Sequence, residues 1–392
     1  MPYRSKILLL FIAICAVFAF AKNDISKDSA TDQDTVTLKA RENPYNIPED
    51  LLPLWDSLSI RQKAAQLIMV YMSPASFLIR NEFGGVLVMK SHLNNTEKYL
   101  DNLAKAKDSL RIPLLVASDQ EGGRVNRIGG ISEKWKHAPS AYEMRDMEAD
   151  SIEAIAESIG AELTKLGINL NLAPVIDPAQ DHRNKKSFME ENHRSWDEDS
   201  SSIEKIAAFV NGMKKSGISC VSKHFPGYDS WTNSDHQIAI SASPKEKIYR
   251  NISLFKAQAD KIPVTMMSSI RFLRISNRPA VFDSKIVNMA RNMSDDIVIL
   301  TDDLWGVSLR AWISGKERAI GKTYPTRDFK KLVRTAIMAG NDMFMITFPR
   351  KAEEMVNYMV ALAVSNKSYY KRIEESAARI LKMKYKAGIL KN

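Results

Sequence analysis

Cysteine is nearly absent from this chain: two in 392 residues, at positions 15 and 220. Cys15 lies in an N-terminal apolar run that reads as a removable leader. One thiol then remains, and no intramolecular disulfide can brace the fold. Cys220 sits within the apolar run "GISCVSKHF" and reads as a small buried residue. Histidine is scarce as well, with six in all. Asp177, Asp181 and His182 imitate a metal cluster, but without the fixed spacing of a zinc-ligand motif, so no metal is expected. No G-x-G-x-x-G turn follows the first strand-like run, which removes support for a dinucleotide cofactor. No G-x-S-x-G elbow is present, which argues against a serine hydrolase. The net charge is +10. Its lysines are spread along helical segments rather than interleaved with aromatics, so nucleic acid is not the expected partner. A solvated basic surface suits anionic wall or membrane material instead.

No apolar run reaches the roughly 20 residues needed to span a bilayer. The N-terminus has Arg4 and Lys6, an apolar stretch from Ile7 to Phe20, and then Ala19-Phe20-Ala21 before Lys22. A charged start, a short apolar centre and an A-x-A end predict a signal peptide over 1–21, with export to the periplasm or the exterior and no stable membrane span after cleavage. Cys15 is not read as a lipid-anchoring site, because Ile14 stands where a small residue is needed. Cleavage removes Arg4 and Lys6 and leaves +8. Residues 22–42 are polar and lack apolar periodicity, so they read as a flexible linker.

What is present, from 43 to 392, is an alternation. Short apolar runs read as strands: "AQLIMVY", "GGVLVM", "PLLVAS", "NLNLAPVI", "ISCVSKH", "VTMMSSI", "IVILT" and "DMFMITF". Stretches of helical period lie between them, such as "NTEKYLDNLAKAKDSL", "SIEAIAESIGAELTKLG", "SIEKIAAFVNGMKKSG" and "KEKIYRNISLFKAQADK". Continuous apolar strands alternating with helices predict a parallel α/β sheet. A count of eight predicts a (β/α)8 TIM-type barrel forming a single catalytic domain over 43–392, with a doubly wound sheet as the competitor. The polar residues favour the barrel. "SDQEGGR" follows "PLLVA", "DPAQDHR" follows "LAPVI", "KHFPG" ends "ISCVS" and "DDLWG" follows "IVILT". Barrel enzymes build their sites at those C-terminal strand ends.

The chemistry available there is a carboxylate, several cations and a histidine on a loop. A carboxylate can attack a carbon whose leaving group a second residue protonates, which is glycoside hydrolysis with retention. Histidine can take the acid's place, because its ordinary pKa lies near neutrality. "DQEGGRVNR", "LAPVIDP", "HRSW", "KHFPG…DH" and "TDDL" stand in the order, and at about the spacing, of glycoside hydrolase family 3. The chain resembles that family from about Asp56 to its end, and most of all its β-N-acetylglucosaminidase (β-N-acetylhexosaminidase) subgroup.

The resemblance implies an exported retaining exo-enzyme that removes terminal β-linked GlcNAc from wall-derived or chitin-type glycans. Asp302 would be the nucleophile, and His236 the general acid and base. Asp119, Arg127, Arg194, Lys223 and His224 would bind the sugar. Three departures from the family pattern bear on proton transfer. Ser234 replaces the aspartate two residues before the loop histidine, with Asp235 beside it. "GYD" replaces "GHG", and Ser269 stands where a histidine is common. The Ser234 departure leaves a non-catalytic sugar-binding barrel open, and the basic mouth would permit a β-N-acetylglucosaminide phosphorylase, though no residue demands it. Asp303 reads as a structural hydrogen-bonding residue, Glu121 and Arg124 as an ion pair beneath the barrel mouth, and His137, His182 and His193 as surface or loop residues. Trp231 reads equally as a hydrophobic plug or a sugar-stacking platform. The oligomeric state is not legible.

Overall fold

A computed structural model of the chain describes residues 43–198, 200–317 and 324–391. The leader expected at 1–21 and the linker expected at 22–42 lie outside them. Eight strands form one parallel sheet: β1 (Ile68–Tyr71), β2 (Gly85–Leu87), β3 (Leu115–Ser118), β4 (Leu170–Asn171), β5 (Ser219–Phe225), β6 (Val264–Met267), β7 (Val298–Leu300) and β8 (Phe344–Ile346). Their order in space is β8-β1-β2-β3-β4-β5-β6-β7. A parallel bridge from Leu300 to Met343 joins the two ends, with Thr301 N donating to Met343 O at 2.9 Å. The sheet is therefore a (β/α)8 barrel, and each of the eight expected strands is present. Closure removes the exposed edges that an open sheet would leave.

Several strands are shorter than their apolar runs, and proline accounts for two of them. Pro113 precedes β3, and Pro174 cannot donate to a neighbour, so pairing after β4 stops and resumes only at the isolated bridge Val175–Lys223. A two-stranded parallel ribbon, Ile240–Ser241 with Arg271–Phe272, was not anticipated.

Helices cover the sheet. Helix Ala149–Lys165 buries Ile152, Ala156, Ile159, Gly160 and Leu163, the spacing of one helical face. Its neighbour Ser201–Lys215 comes so close that a Cβ on Gly212 would stand 2.2 Å from the carbonyl oxygen of Glu153. Helix Thr96–Ser109 starts where the Asn95 side chain accepts from Lys98 N at 2.9 Å, replacing one bond its first turn lacks. No described helix is long and apolar enough to cross a membrane.

The C-terminal helix Lys367–Lys386 packs beside helices Pro349–Ser365 and Ile60–Gln66 and reaches the segments that precede β1 and β3. Lys384 is fully buried there, with Nζ donating to Gln66 Oε1 at 2.7 Å and Pro113 O at 2.8 Å. Burial pushes its pKa down to about 7. In the unfolded chain the lysine gains its proton at higher pH, so this group disfavours folding increasingly as pH falls from about 10 to 7. Lys384→Met is expected to raise stability near pH 7 by about 1 kcal/mol, since two acceptors left unpaired offset part of the gain. The gain should shrink by pH 9 in urea titrations.

Candidate active site

The polar strand ends converge on a cavity of about 270 Å³. Its walls include Asp119 after β3, Arg194 from the loop after β4, Lys223 and His224 of β5, and Asp302 after β7. Arg127 joins them from the segment after β3. That segment turns back on itself through Gly122 (φ +90°), where a Cβ would meet Pro139 O at 1.9 Å. Buried Gln120 holds the turn, accepting from Arg127 N at 2.8 Å and Ile128 N at 3.2 Å.

Lys223 and His224 are consecutive, and an ideal strand would point them to opposite faces. The pairing of β5 with β6 shifts register between Ser222 and Phe225, and this bulge turns both to the cavity. His224 is locked by Asp177, whose carboxylate takes its backbone N–H at 2.8 Å and approaches Nδ1 at 2.6 Å. The Asp177 contact makes Nδ1 the protonated nitrogen and leaves Nε2 for the cavity.

The charged side chains alternate in sign. Arg127 contacts Asp119 at 3.3 Å, Lys223 contacts Asp119 at 2.8 Å and Glu121 at 2.6 Å, and Arg194 forks onto Glu121 at 2.7 and 3.0 Å. Burial alone would raise the Glu121 carboxyl, but Arg194 and Lys223 outweigh it and hold it well below the usual range. Asp119 is held down likewise, burial being outweighed by Lys223 and Arg127. Lys223, 2% exposed, stays charged because Asp119 and Glu121 outweigh its own burial. Such a chain holds its donors and acceptors in place through one another. The Nε of Arg127 is buried and has no hydrogen-bond partner.

Asp302 differs from these groups. Among the described residues no cation is ion-paired with it. Oδ1 accepts from Asp303 N at 2.8 Å and Oδ2 from Ser269 Oγ at 2.6 Å. Both oxygens are oriented without being neutralised. Ser269 thus does position Asp302, a contact that a strand-by-strand reading of "MMSSI" did not reveal. Asp303 faces away, accepting from Thr347 Oγ1 at 2.6 Å, Thr347 N at 3.1 Å and Trp305 N at 2.9 Å. Burial pushes its carboxyl up to about 6. It is the structural hydrogen-bonding residue expected.

His236 is the exception among the seven expected site residues. Its loop arches over the mouth, but its side chain is exposed and is not among the cavity's walls; Asn233, Ser234 and Asp235 are. The expected Glu121–Arg124 pair is also absent. Glu121 is taken by Arg194 and Lys223, while Arg124 donates to Asn192 at 2.8 Å. His137, His182 and His193 are exposed. Trp231 is exposed too, with the Arg183 guanidinium 4.2 Å from its ring centre, so it plugs no core. The metal-like trio is dispersed: Asp177 serves His224 and Tyr228, and Asp181 serves Arg183 and Lys185. Among the described residues no cluster suits a metal ion.

A parallel barrel with an oriented, unpaired carboxylate beside an alternating ion chain at its C-terminal mouth has the groups that glycoside hydrolysis requires. Residues 59–383 match the model of the glycosyl hydrolase family 3 N-terminal domain, and the chain belongs to that family. It is a glycoside hydrolase. The chain is 26% identical over 284 residues to a β-hexosaminidase of Pseudomonas aeruginosa, covering 70% of this chain and 78% of that one. It is 26% identical over 288 residues to the β-hexosaminidase LpqI of Mycobacterium tuberculosis, covering 68% and 71%. Among solved structures, a β-N-acetylhexosaminidase from Beutenbergia cavernae superposes with a TM-score of 0.69 at 26% identity, over 84% of this chain and 99% of that one.

Proposed function

We propose that this chain is an exported exo-β-N-acetylglucosaminidase that removes terminal β-linked GlcNAc from wall-derived or chitin-type glycans with retention. Asp302 attacks C1 and forms a glycosyl-aspartate. The loop Tyr228–Gln237, on which the family resemblance points to His236, gives a proton to the departing oxygen and later takes one from water. Asp119, Arg127, Arg194, Lys223 and His224 hold the sugar. The observation that carries this reading is the pairing, in one cavity, of the unneutralised Asp302 with the ion chain Arg127–Asp119–Lys223–Glu121–Arg194. A cavity of about 270 Å³ suits one ring rather than a long chain, in keeping with exo action. The N-acetyl preference is supported by what the relatives are called.

The test is a panel of chromogenic β-glycosides (GlcNAc, glucose, xylose), assayed on the protein beginning near Lys22, with and without phosphate. Turnover of the GlcNAc compound to free sugar, at least tenfold above the others, is expected. A sugar phosphate as product would replace hydrolysis by phosphorolysis. No turnover at all would leave a sugar-binding barrel. N-terminal sequencing of the exported protein is expected to begin near Lys22; a retained leader would overturn the export.

A further inference from the structure

The loop over the mouth hangs from one buried phenol. The chain leaves β5 through Gly227, whose φ of +113° lies in the left-handed region and whose N–H donates to His224 O at 2.8 Å. Tyr228 follows, 2% exposed, with its ring beside those of Phe188 and His224. Its backbone N–H donates to Asp177 at 2.7 Å, and the oxygen that accepts it also takes the backbone N–H of His224. The Tyr228 hydroxyl reaches forward along the loop. It donates to Thr232 O and accepts from Ser234 N at 2.8 Å, so both its bonding capacities are used on one loop. Burial pushes the phenol well above its usual range, and the strap keeps its proton at any working pH. The base of the loop is stapled separately by Asp229, which accepts from the hydroxyls of Ser241 and Ser243.

We infer that Tyr228 is the positioning residue for His236, its hydroxyl taking over from the carboxylate that is absent at position 234. The inference rests on the glycosidase reading above, in which the loop histidine moves the proton. Two of the departures from the family pattern, Tyr228 in "GYD" and Ser234, meet in one hydrogen bond. That bond fixes the loop as far as Ser234, which is buried and stands on the cavity wall. His236 lies two residues further on, so its Cα stays within about 7 Å of the Ser234 Cα. The turn that carries it is the loosest part of the loop. The Asn233 carbonyl accepts from His236 N at 3.3 Å and from Gln237 N at 3.4 Å, longer than an ordinary N–H···O bond. A change in that turn alone carries the imidazole from outside the cavity to its mouth, while everything before it stays pinned. Asp177 serves the strap and the sugar grip together, since it holds both Tyr228 and His224.

Tyr228→Phe isolates this role, because it keeps the ring and removes only the oxygen. Thr232 O and the Ser234 N–H then lose their partner. The free arm that carries His236 lengthens from the residues after Ser234 back toward the Asp229 staple. Proton transfer needs the imidazole within hydrogen-bond reach of the glycosidic oxygen, and a misplacement of about 1 Å is enough to cost about 10²-fold.

Wild type, Tyr228→Phe, His236→Ala and the double variant are compared on two β-GlcNAc substrates, a dinitrophenyl glycoside and a disaccharide, with kcat and KM separated. The dinitrophenyl substrate needs little protonation, and azide attacks C1 of the glycosyl-enzyme without a base. Its turnover with azide therefore reports a folded site whatever the state of the acid. Tyr228→Phe is expected to lower kcat on the disaccharide by about 10²-fold with KM little changed, and to lower aryl turnover with azide far less. His236→Ala should show the same dependence on the leaving group, more strongly. The double variant should be no slower than His236→Ala, because a residue that acts through the imidazole has nothing left to place. Losses that multiply in the double variant, or a Tyr228→Phe that slows both substrates alike or neither, would overturn the inference while leaving the function intact. No leaving-group dependence in His236→Ala would take the proton transfer away from His236, and the inference with it. A wild-type protein inactive on both substrates would instead overturn the glycosidase reading itself.

Discussion

Asp302→Ala is expected to lower turnover of an aryl β-N-acetylglucosaminide by about 10⁴-fold or more, with little change in the affinity for GlcNAc or in the melting temperature. The size follows from what is lost. Removing the nucleophile from a double-displacement reaction leaves no second route of similar barrier, and losses of this order are usual for such groups. Affinity is held elsewhere, by the ion chain from Arg127 to Arg194, none of whose members contacts Asp302. Stability should change little because, among the described residues, the Asp302 carboxylate is engaged only by Ser269 Oγ and Asp303 N. Ser269→Ala removes one of those two bonds and should cost about tenfold. A fluorinated GlcNAc donor should label Asp302, identified by peptide mapping. Labelling of Asp303 would sink the assignment, and its three hydrogen bonds to Thr347 and Trp305 are the reason not to expect it.

The barrel was legible because its strands are buried on both faces and so read as unbroken apolar runs, which interleave with amphipathic helices. The strand lengths were less so: β4 is two residues long because Pro174 interrupts its pairing. Residues at strand ends were placed well, since a strand fixes where its last residue points. Partners across the mouth were not. Spacing in sequence suggested that Glu121 would meet Arg124, three residues on, but the cation that reaches it is Arg194, 73 residues away and carried on another loop. The loop from Tyr228 shows the same limit more sharply. Its course is set by the Tyr228 hydroxyl fastening Ser234 and by the turn at Asn233, and neither is visible in a pattern of alternation.

Asp342→Asn is expected to destabilise the protein by about 3–5 kcal/mol, a large part of the roughly 5–15 kcal/mol that holds a native domain together. Asp342 is fully buried just before β8, at the end of the barrel opposite the active site. Three guanidiniums converge on it: Arg291, Arg372 at 2.9 Å and Arg379 at 3.0 Å. Ser376 Oγ and Ile299 N, each at 3.0 Å, complete its bonds. Amidation removes the one carboxylate that all three cations share, leaving only Glu375, 3.3 Å from Arg372, as a further counter-charge, and it sets an N–H₂ against donors that need an acceptor. The pH dependence carries a sign. Burial would raise the Asp342 carboxyl, but the guanidiniums outweigh it and bring its pKa down to about 2, below the ordinary carboxylate value. Its contribution is therefore complete above about pH 4 and is lost as pH falls through 2. Urea titrations at pH 7, 4 and 3 should show wild type losing stability across that window by more than the variant does. Activity per folded molecule should be unchanged, because the strand ends that carry Asp119, Lys223 and Asp302 lie at the other end of the barrel. A variant as stable as wild type at pH 7 would mean that the arginines find their counter-charge elsewhere, and that this end of the barrel is not held by Asp342.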